Sequence, residues 1–252
     1  MTKNRIAIID ADGLLFAAAL QGQTSCDGVA MEMRPVGKSL ANFYQRVDEV
    51  MEAVDAEECY LCFSDRRNFR YDILPSYKGQ RKSSERPLQL DELRGLVSED
   101  SPHRVFLIKT LEADDVCGIM ADTLRKAGRE TVVVSPDKDL LQVPGLLYTG
   151  KGKVTEVTEE TAERWHMMQT LQGDTCDNYK GLPGWGAAKA GVLMDLIVNL
   201  PTVEKWQFII SAFEASGFTE EDCLVQARVS RILRLSDWDA KEKKIRQWNF
   251  PA

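Results

Sequence analysis

The sequence has little histidine, and its cysteines do not follow the spacing of a zinc site. Only His103 and His166 are histidines, and the six cysteines include a single CxxC, formed by Cys59 and Cys62. Structural zinc sites need four such ligands, commonly arranged as two pairs. The CxxC also lies within an apolar run, so buried, reduced thiols are the better interpretation. Neither histidine is placed in a motif for covalent catalysis.

The sequence also lacks long apolar runs, internal repeats and low-complexity linkers. No run reaches the roughly 18 residues that a membrane span requires. The N-terminal apolar run, 6–9, is too short for the core of a signal peptide. With 44% hydrophobic and 28% charged residues, the chain has the composition of a globular protein. We therefore expect no membrane partner and a cytoplasmic location, which would be the host cytoplasm for a phage-encoded protein.

Strand and helix patterns alternate over the first two-thirds of the chain. Short β-branched runs predict buried strands, and apolar residues at helical spacing predict the helices between them. The predicted strands are 5–10, 58–63, 104–108, 131–135, 146–149 and 153–157, and the predicted helices are 36–55, 88–97 and 112–127. Such alternation predicts an α/β core over residues 1–157, a mostly parallel twisted sheet flanked by helices.

The strand patterns stop after residue 157. A capping pattern at Thr158 opens the first of several predicted helices, and Pro201, Gly217 and Ser236 separate later ones. These helices are predicted at 158–169, 187–199, 202–216, 219–233 and 238–248. We therefore expect residues 158–252 to form a helical part that packs on the core.

Carboxylates recur where the predicted strands end. Each group alone has an ordinary explanation, because acids are common in turns and in the first turn of a helix. In a parallel sheet, however, the carboxyl ends of the strands meet at one edge, where ligands bind. The groups are Asp10-Ala11-Asp12, Asp65, Glu112-Ala113-Asp114-Asp115, Asp137-Lys138-Asp139 and Asp174-Thr175-Cys176-Asp177. So many like charges need hard cations, and oxygen ligands favour two Mg²⁺ or Mn²⁺ ions.

The order of these acidic blocks resembles the 5′ nuclease family, which includes flap endonucleases, the 5′-nuclease domain of bacterial DNA polymerase I and phage 5′–3′ exonucleases. The matching blocks also include Tyr77-Lys78-Gly79-Gln80-Arg81 and Gly181-Leu182-Pro183-Gly184-Trp185-Gly186. The stretch 226–234 is similar to the exonucleases of podoviral phages. The resemblance implies a PIN/FEN-like fold with a helix–hairpin–helix element in the helical part.

The resemblance also implies which carboxylates bind metal. These are Asp10, Asp65, Glu112, Asp114, Asp115, Asp137, Asp139, Asp174 and Asp177. Setting these nine aside changes the net charge from −7 to +2, which removes the objection that an acidic chain should not bind DNA. Asp12 would stand behind them as an accessory residue.

Lys78 and Arg81 match the basic pair that lies beside the scissile phosphate in the family. A lysine supplies a point charge to a phosphate oxygen, and an arginine can bind one in a bidentate manner. Tyr77 would stack on an unpaired base, although core packing is the simpler explanation of a tyrosine. Arg70, in the basic run 66–70, and Lys82 would add contacts to DNA.

The block 181–186 precedes a predicted helix, whose first N–H groups can hold a phosphate without reading base sequence. In the family this element grips duplex DNA, in some members with a K⁺ ion. The residues expected to contact DNA here are Lys180, Gly181, Gly184, Gly186 and Lys189.

One segment departs from the better-known members of the family. Flap endonucleases carry a helical arch after the basic pair, whereas residues 82–102 are short, with few basic residues and one predicted helix. This favours an exonuclease acting on duplex ends, nicks or gaps over one that threads long flaps.

We therefore predict a metal-dependent 5′–3′ exodeoxyribonuclease that uses two ions in replication, primer removal or DNA degradation. RNA of RNA–DNA hybrids and short flaps are further expected substrates, and replication proteins are expected partners. The alternatives are a PIN-type single-strand RNase, a small-molecule phosphatase and a non-catalytic DNA-binding relative. The first two would not need the block 181–186, and the third predicts gaps in the acid set, which is complete.

Overall fold

A computed structural model describes residues 4–26, 30–80 and 86–251. The predicted site residues Arg81 and Lys82 lie outside these ranges. The strands are β1 (Ile6–Asp10), β2 (Gln23–Cys26), β3 (Ala30–Met33), β4 (Glu58–Phe63), β5 (Arg104–Leu107), β6 (Thr131–Val134), β7 (Gly145–Tyr148), β8 (Thr155–Val157), β9 (Trp238–Asp239) and β10 (Lys244–Ile245). The helices are α1 (Asp12–Gln21), α2 (Val36–Ala53), α3 (Arg70–Ile73), α4 (Leu90–Glu99), α5 (Ala113–Lys126), α6 (Glu159–Gln172), α7 (Ala187–Leu196), α8 (Thr202–Ala215) and α9 (Glu220–Ser230).

Six of the strands form one sheet in the order β5-β4-β1-β6-β7-β8. The first five are parallel to one another, and only β8 runs antiparallel, against β7. The mostly parallel sheet predicted from the sequence is therefore confirmed. Since β1, β4 and β6 are central, their carboxyl ends bring Asp10 and the residues after Phe63 and Val134 to one edge.

The central strands are apolar except at one end residue each, because both faces of the sheet are covered. Leu15 of α1, Phe43 of α2 and Leu93 of α4 pack on one face and are fully buried. Val116 and Cys117 of α5 pack on the other face. Helices on both faces are thus confirmed, and the apolar packing fixes the sheet edge that carries the acids.

The prediction of a last helix at 238–248 is wrong. The chain instead forms a 3₁₀ turn at Leu235–Asp237 and then the antiparallel pair β9 and β10. The side chain of Asp239 accepts hydrogen bonds from the backbone N–H groups of Lys241 (3.1 Å) and Glu242 (3.0 Å). An aspartate that bonds the following backbone in this way favours a turn over a helix.

The segment that follows α9 returns to the core. The Gln142 amide donates to the Ser230 carbonyl at 2.6 Å, and the Ile232 N–H donates to the Gln142 side-chain oxygen at 3.1 Å. A Cβ on Gly118 of α5 would lie 2.3 Å from the Leu233 carbonyl oxygen, so this close approach requires glycine. The segment 229–234 therefore packs against α5, directly behind the acidic edge. Within the described ranges, no helix is long and apolar enough to cross a membrane.

Candidate active site

Predicted metal ligands from four elements line one cavity at the carboxyl edge of the sheet. The cavity has a volume of about 490 Å³. Its walls include Asp10, Asp12, Asp65, Lys78, Glu112, Asp114 and Asp137. The acidic residues of this wall are up to 127 positions apart in the sequence, and they meet because they lie at or after the carboxyl ends of the neighbouring strands β1, β4, β5 and β6.

Asp10 and Asp114 are crowded carboxylates. Burial and the neighbouring Asp12 carboxylate raise the pKa of Asp10 to about 6. Burial, and then the charges of Asp10 and Asp137, raise the pKa of Asp114 well above its usual range. The Oδ1 atom of Asp114 is buried with no hydrogen-bond partner in the part of the chain that the structure describes. An all-oxygen set with an unpartnered buried atom suits a hard divalent cation.

Asp65 is held by the loop that precedes α5. Its two carboxylate oxygens accept hydrogen bonds from the backbone N–H groups of Arg66 and Thr110, both at 2.8 Å. The Asp65 N–H donates to the Leu111 carbonyl at 2.8 Å. Thr110 has a φ of +69°, so a left-handed residue shapes the turn that orients this carboxylate.

Asp115 does not have the surroundings of a metal ligand. It is fully buried, and the Arg70 guanidinium binds its Oδ2 at 2.7 Å and its Oδ1 at 2.8 Å. The backbone N–H groups of Glu112 and Leu233 donate to the same two oxygens, at 3.2 and 3.1 Å. With both oxygens engaged, Asp115 cannot coordinate an ion without breaking this ion pair, which corrects the sequence prediction.

Arg70 was predicted to contact DNA, and this is also wrong. Its side chain is 2% exposed. Besides Asp115 it binds Glu112 at 3.0 Å, and it donates to the backbone carbonyls of Val229 (2.8 Å) and Arg231 (2.6 Å). Arg70 therefore joins α5 to the segment that returns after α9 and has no surface to offer a phosphate.

Tyr77 is buried too, so the predicted stacking on a base is wrong for the structure as it stands. It is 2% exposed, and its hydroxyl lies 2.9 Å from Glu112 Oε2 and 2.8 Å from Asp177 Oδ2. The Lys78 ammonium binds Glu112 Oε1 and lies 3.5 Å from Asp177 Oδ2. Tyr77 and Lys78 thus bridge a carboxylate of the core to one of the helical part.

The remaining predicted ligands form a second group around the 3₁₀ helix Lys138–Gln142. Burial, and then Asp137 and Asp174, raise the pKa of Asp139 to about 7. The Gln169 amide donates to Asp139 Oδ1 at 2.6 Å. Asp174 lies 3.8 Å from the Lys138 ammonium. Asp137 caps the 3₁₀ helix by accepting from the Asp139 N–H at 2.9 Å.

The carboxylates as placed do not converge on a single point. Across residues 4–26, 30–80 and 86–251, no group of three or more His, Cys, Asp or Glu side chains is arranged to hold an ion. The metal-binding roles predicted from the resemblance therefore stay predictions. The structure shows a crowded acidic cavity and, beside it, a second group of carboxylates that includes Asp139 and Asp174.

The glycine-rich block forms the loop between α6 and α7. Gly181 has a φ of +59°, and a Cβ there would lie 2.4 Å from the Gly173 N and Leu171 O atoms, so its smallness serves packing within the loop. Around Gly184 and Gly186 a Cβ would meet nothing within 4 Å. The Lys189 ammonium lies 4.1 Å from the centre of the Trp185 ring. The open side of the loop and the N-terminus of α7 are thus accessible to a phosphate backbone.

Sequence reasoning missed Arg94. This residue of α4 binds the Asp12 carboxylate and donates to the Ser64 carbonyl at 2.9 Å, while the Ser64 N–H donates to Asp12 at 3.0 Å. Arg94 therefore fixes Asp12 at the edge of the cavity. A basic residue within an amphipathic helix gives no local signal of such a role.

The fold and the acid-lined cavity define a nuclease of the 5′ nuclease class. Residues 5–168 match the family described as 5′-3′ exonuclease, N-terminal resolvase-like domain. The chain belongs to this family.

Two phage proteins are similar over most of their length. The exodeoxyribonuclease of Enterobacteria phage T3 is 31% identical over 217 residues, which cover 75% of this chain and 72% of that protein. The exonuclease of Escherichia phage T7 is 30% identical with the same coverage. In fold, the chain is similar to the D15 flap endonuclease of bacteriophage T5, solved in a pseudo-enzyme–product complex with DNA and metal ions. That likeness has a TM-score of 0.62 and 17% identity, and it covers 90% of this chain and 88% of that one.

Proposed function

We propose that this protein is a metal-dependent 5′–3′ exodeoxyribonuclease acting on duplex DNA ends, nicks or gaps. The crowded cavity carries the proposal, because burial and the charges of Asp10 and Asp137 raise the pKa of Asp114, and Asp114 Oδ1 is buried with no hydrogen-bond partner among the described residues. The name of the phage T3 relative, exodeoxyribonuclease, supports a DNA substrate, and that of the phage T7 relative supports an exonuclease. Two Mg²⁺ or Mn²⁺ ions held at this edge would activate a water and stabilise the leaving 3′ oxygen.

The chain's own residues have distinct roles in this proposal. Asp10, Asp65, Glu112, Asp114 and Asp137 would hold the ions from the core. Asp139, Asp174 and Asp177 would hold them from the other side of the cavity. Asp115 is not one of these ligands, because the Arg70 guanidinium and two backbone N–H groups already bind both of its carboxylate oxygens. Lys78, with Arg81, would offset charge on the phosphate.

The loop between α6 and α7 would grip the duplex. Gly184, Gly186 and the first N–H groups of α7 are open to a phosphate, and Lys180 and Lys189 flank them. Backbone contacts of this kind predict weak sequence preference. In this view residues 1–157 cut and residues 158–252 hold the DNA. A K⁺ ion at the loop, cleavage of RNA–DNA hybrids and recruitment by replication proteins remain part of the proposal.

The test is digestion of duplex DNA labelled at either the 5′ or the 3′ end, in Mg²⁺ or in EDTA. We expect Mg²⁺-dependent loss that begins at the 5′ end and is absent in Asp114→Asn. Asp195→Asn is the matched control, because that side chain of α7 is 75% exposed and forms an ion pair with Arg164. Loss that begins at the 3′ end, or that continues in EDTA, would contradict the proposal. Duplex binding without cleavage of any duplex, hybrid or flap would favour the non-catalytic relative.

A further inference from the structure

Glu112 and Asp177 face each other across the boundary between the core and the helical part. Glu112 caps the N-terminus of α5, and Asp177 lies in the loop after α6. Their side chains are 13% and 17% exposed, so water screens their charges poorly. Two carboxylates drawn this close need positive charge between them.

Lys78 supplies that charge from a fixed position. Its backbone N–H donates to the Asp177 carbonyl at 2.8 Å, and its φ is +52°, a left-handed value that is costly for lysine. The ammonium then reaches Glu112 Oε1 and approaches Asp177 Oδ2. A strained backbone that places a cation between two carboxylates is held there by the surrounding structure.

Tyr77 cannot satisfy both carboxylates by itself. Its hydroxyl lies within hydrogen-bond distance of both Glu112 and Asp177, yet a phenol has one proton and donates to one oxygen at a time. Burial raises the pKa of Tyr77 above its usual range, so the hydroxyl keeps that proton. Tyr77 therefore serves one carboxylate at a time, whereas the Lys78 ammonium contacts Glu112 and lies 3.5 Å from Asp177, in addition to the Arg70 guanidinium on Glu112.

We propose that Lys78 competes with a divalent cation for the carboxylates of Glu112 and Asp177, and that it turns toward a substrate phosphate when it loses that competition. The inference rests on the proposed function, because it takes these two carboxylates as ligands. In the metal-free protein Lys78 is the counter-ion of these carboxylates, and with metal and substrate bound it is a ligand of the phosphate. Its charge stays at the cavity throughout, so the carboxylates are compensated at every stage.

The test is the affinity for Mn²⁺ without DNA, measured by electron paramagnetic resonance of free Mn²⁺ on chelator-treated protein. A cation that must be displaced weakens metal binding, so Lys78→Met should bind Mn²⁺ about tenfold more tightly than wild type. Lys78→Arg keeps the charge and should stay close to wild type.

Lys138→Met is the matched control, because it measures how much the loss of any nearby positive charge changes the affinity for Mn²⁺. The Lys138 ammonium lies 3.8 Å from Asp174 and its side chain is 56% exposed, so its removal should change the affinity by less than about threefold. A lysine that only supports the structure would give the opposite result at position 78, with Lys78→Met binding Mn²⁺ no better, or less well, than wild type. That result would overturn the proposal.

A second measurement on the wild type covers the case in which Lys78→Met does not fold. With ¹⁵N-labelled lysine, the Lys78 ammonium should give an NMR signal in EDTA that is missing from Lys78→Arg and that shifts or exchanges away as Mg²⁺ is added. A signal that stays unchanged at saturating Mg²⁺ contradicts the competition. If wild type binds Mn²⁺ and digests DNA but neither readout moves, this inference alone fails. If wild type binds no Mn²⁺, the proposed function fails with it.

Discussion

Two groups of carboxylates at the same edge of the sheet are built in different ways. The crowded group is Asp10, Asp114 and Asp137, and the bridged group is Glu112, Asp115 and Asp177. Within the described ranges, no lysine or arginine forms an ion pair with the crowded group. Arg70 and Lys78 bind the bridged group directly, and Tyr77 bonds to it.

One residue of each group, Asp10 and Glu112, shows the consequence for ionisation. Burial and like charge raise the pKa of Asp10 to about 6. For Glu112 burial acts in the same direction, but the charges of Arg70 and Lys78 outweigh it and lower the pKa from its usual value. The comparison teaches that residue type alone does not distinguish two kinds of carboxylate. One kind has its charge neutralised by a lysine or arginine of the protein, and the other can be neutralised only by a bound cation or a proton.

The largest expected effect is on the bridged group. Arg70→Met leaves Asp115 charged and unpaired in a fully buried position, and removing one partner of such a pair costs about 3 to 5 kcal/mol of unfolding free energy. Urea unfolding of the variant measures this loss. Arg67→Met is the control, because Arg67 is 73% exposed in its pair with Asp72 and should cost less than about 1 kcal/mol. Equal losses in the two variants would mean that the bridge does not stabilise the fold.

Asp114→Asn should change the unfolding free energy in the opposite direction to Arg70→Met. Burial, and then neighbouring charges, raise the pKa of Asp114, so a neutral amide at this position should raise the unfolding free energy in EDTA by about 1 kcal/mol. The same change removes a proposed ligand, so Mg²⁺-dependent cleavage should fall by at least about 100-fold. Thermal unfolding in EDTA and end-labelled digestion measure the two effects. A variant that is less stable in EDTA would place Asp114 with the bridged group.

The comparison also predicts a pH dependence of stability in EDTA. Asp10 has a raised pKa in the folded protein, so its stabilising contribution is complete below about pH 3.8 and is lost as the pH rises through about 6. We expect the unfolding free energy to fall by up to about 3 kcal/mol across this window, because each pKa unit corresponds to about 1.4 kcal/mol. Asp10→Asn should flatten the slope, as shown by urea unfolding at several pH values. An unchanged slope would assign the effect to other groups.

The sequence predicted the sheet and the position of the acidic edge well. Apolar runs followed by acids are local patterns, and the rule that parallel strands share a carboxyl edge brought Asp10, Asp65, Glu112, Asp114 and Asp137 together. Helix α4 was also predicted, within two residues of its bounds at each end.

The roles of Arg70 and Asp115 could not be predicted in the same way. Asp115 stands beside Asp114 and has the same side chain, and the two differ only because a helix turns neighbouring residues by about 100°. Arg70 lies in a run of basic residues that is typical of an exposed loop. The acceptors that bury it include the carbonyls of Val229 and Arg231, about 160 residues later. No local pattern records a partner so distant in sequence.

The return of segment 229–234 to the core has a consequence for how the protein is made. The carbonyls that hold Arg70, and the Leu233 N–H that holds Asp115, belong to this late segment. The acidic edge therefore cannot reach its final form on a ribosome until that stretch has emerged from the exit tunnel. A nascent chain in which this stretch is still missing lacks the carbonyl contacts to Arg70 and the Leu233 N–H contact to Asp115, so the order of synthesis places this ion pair among the last parts of the edge to form.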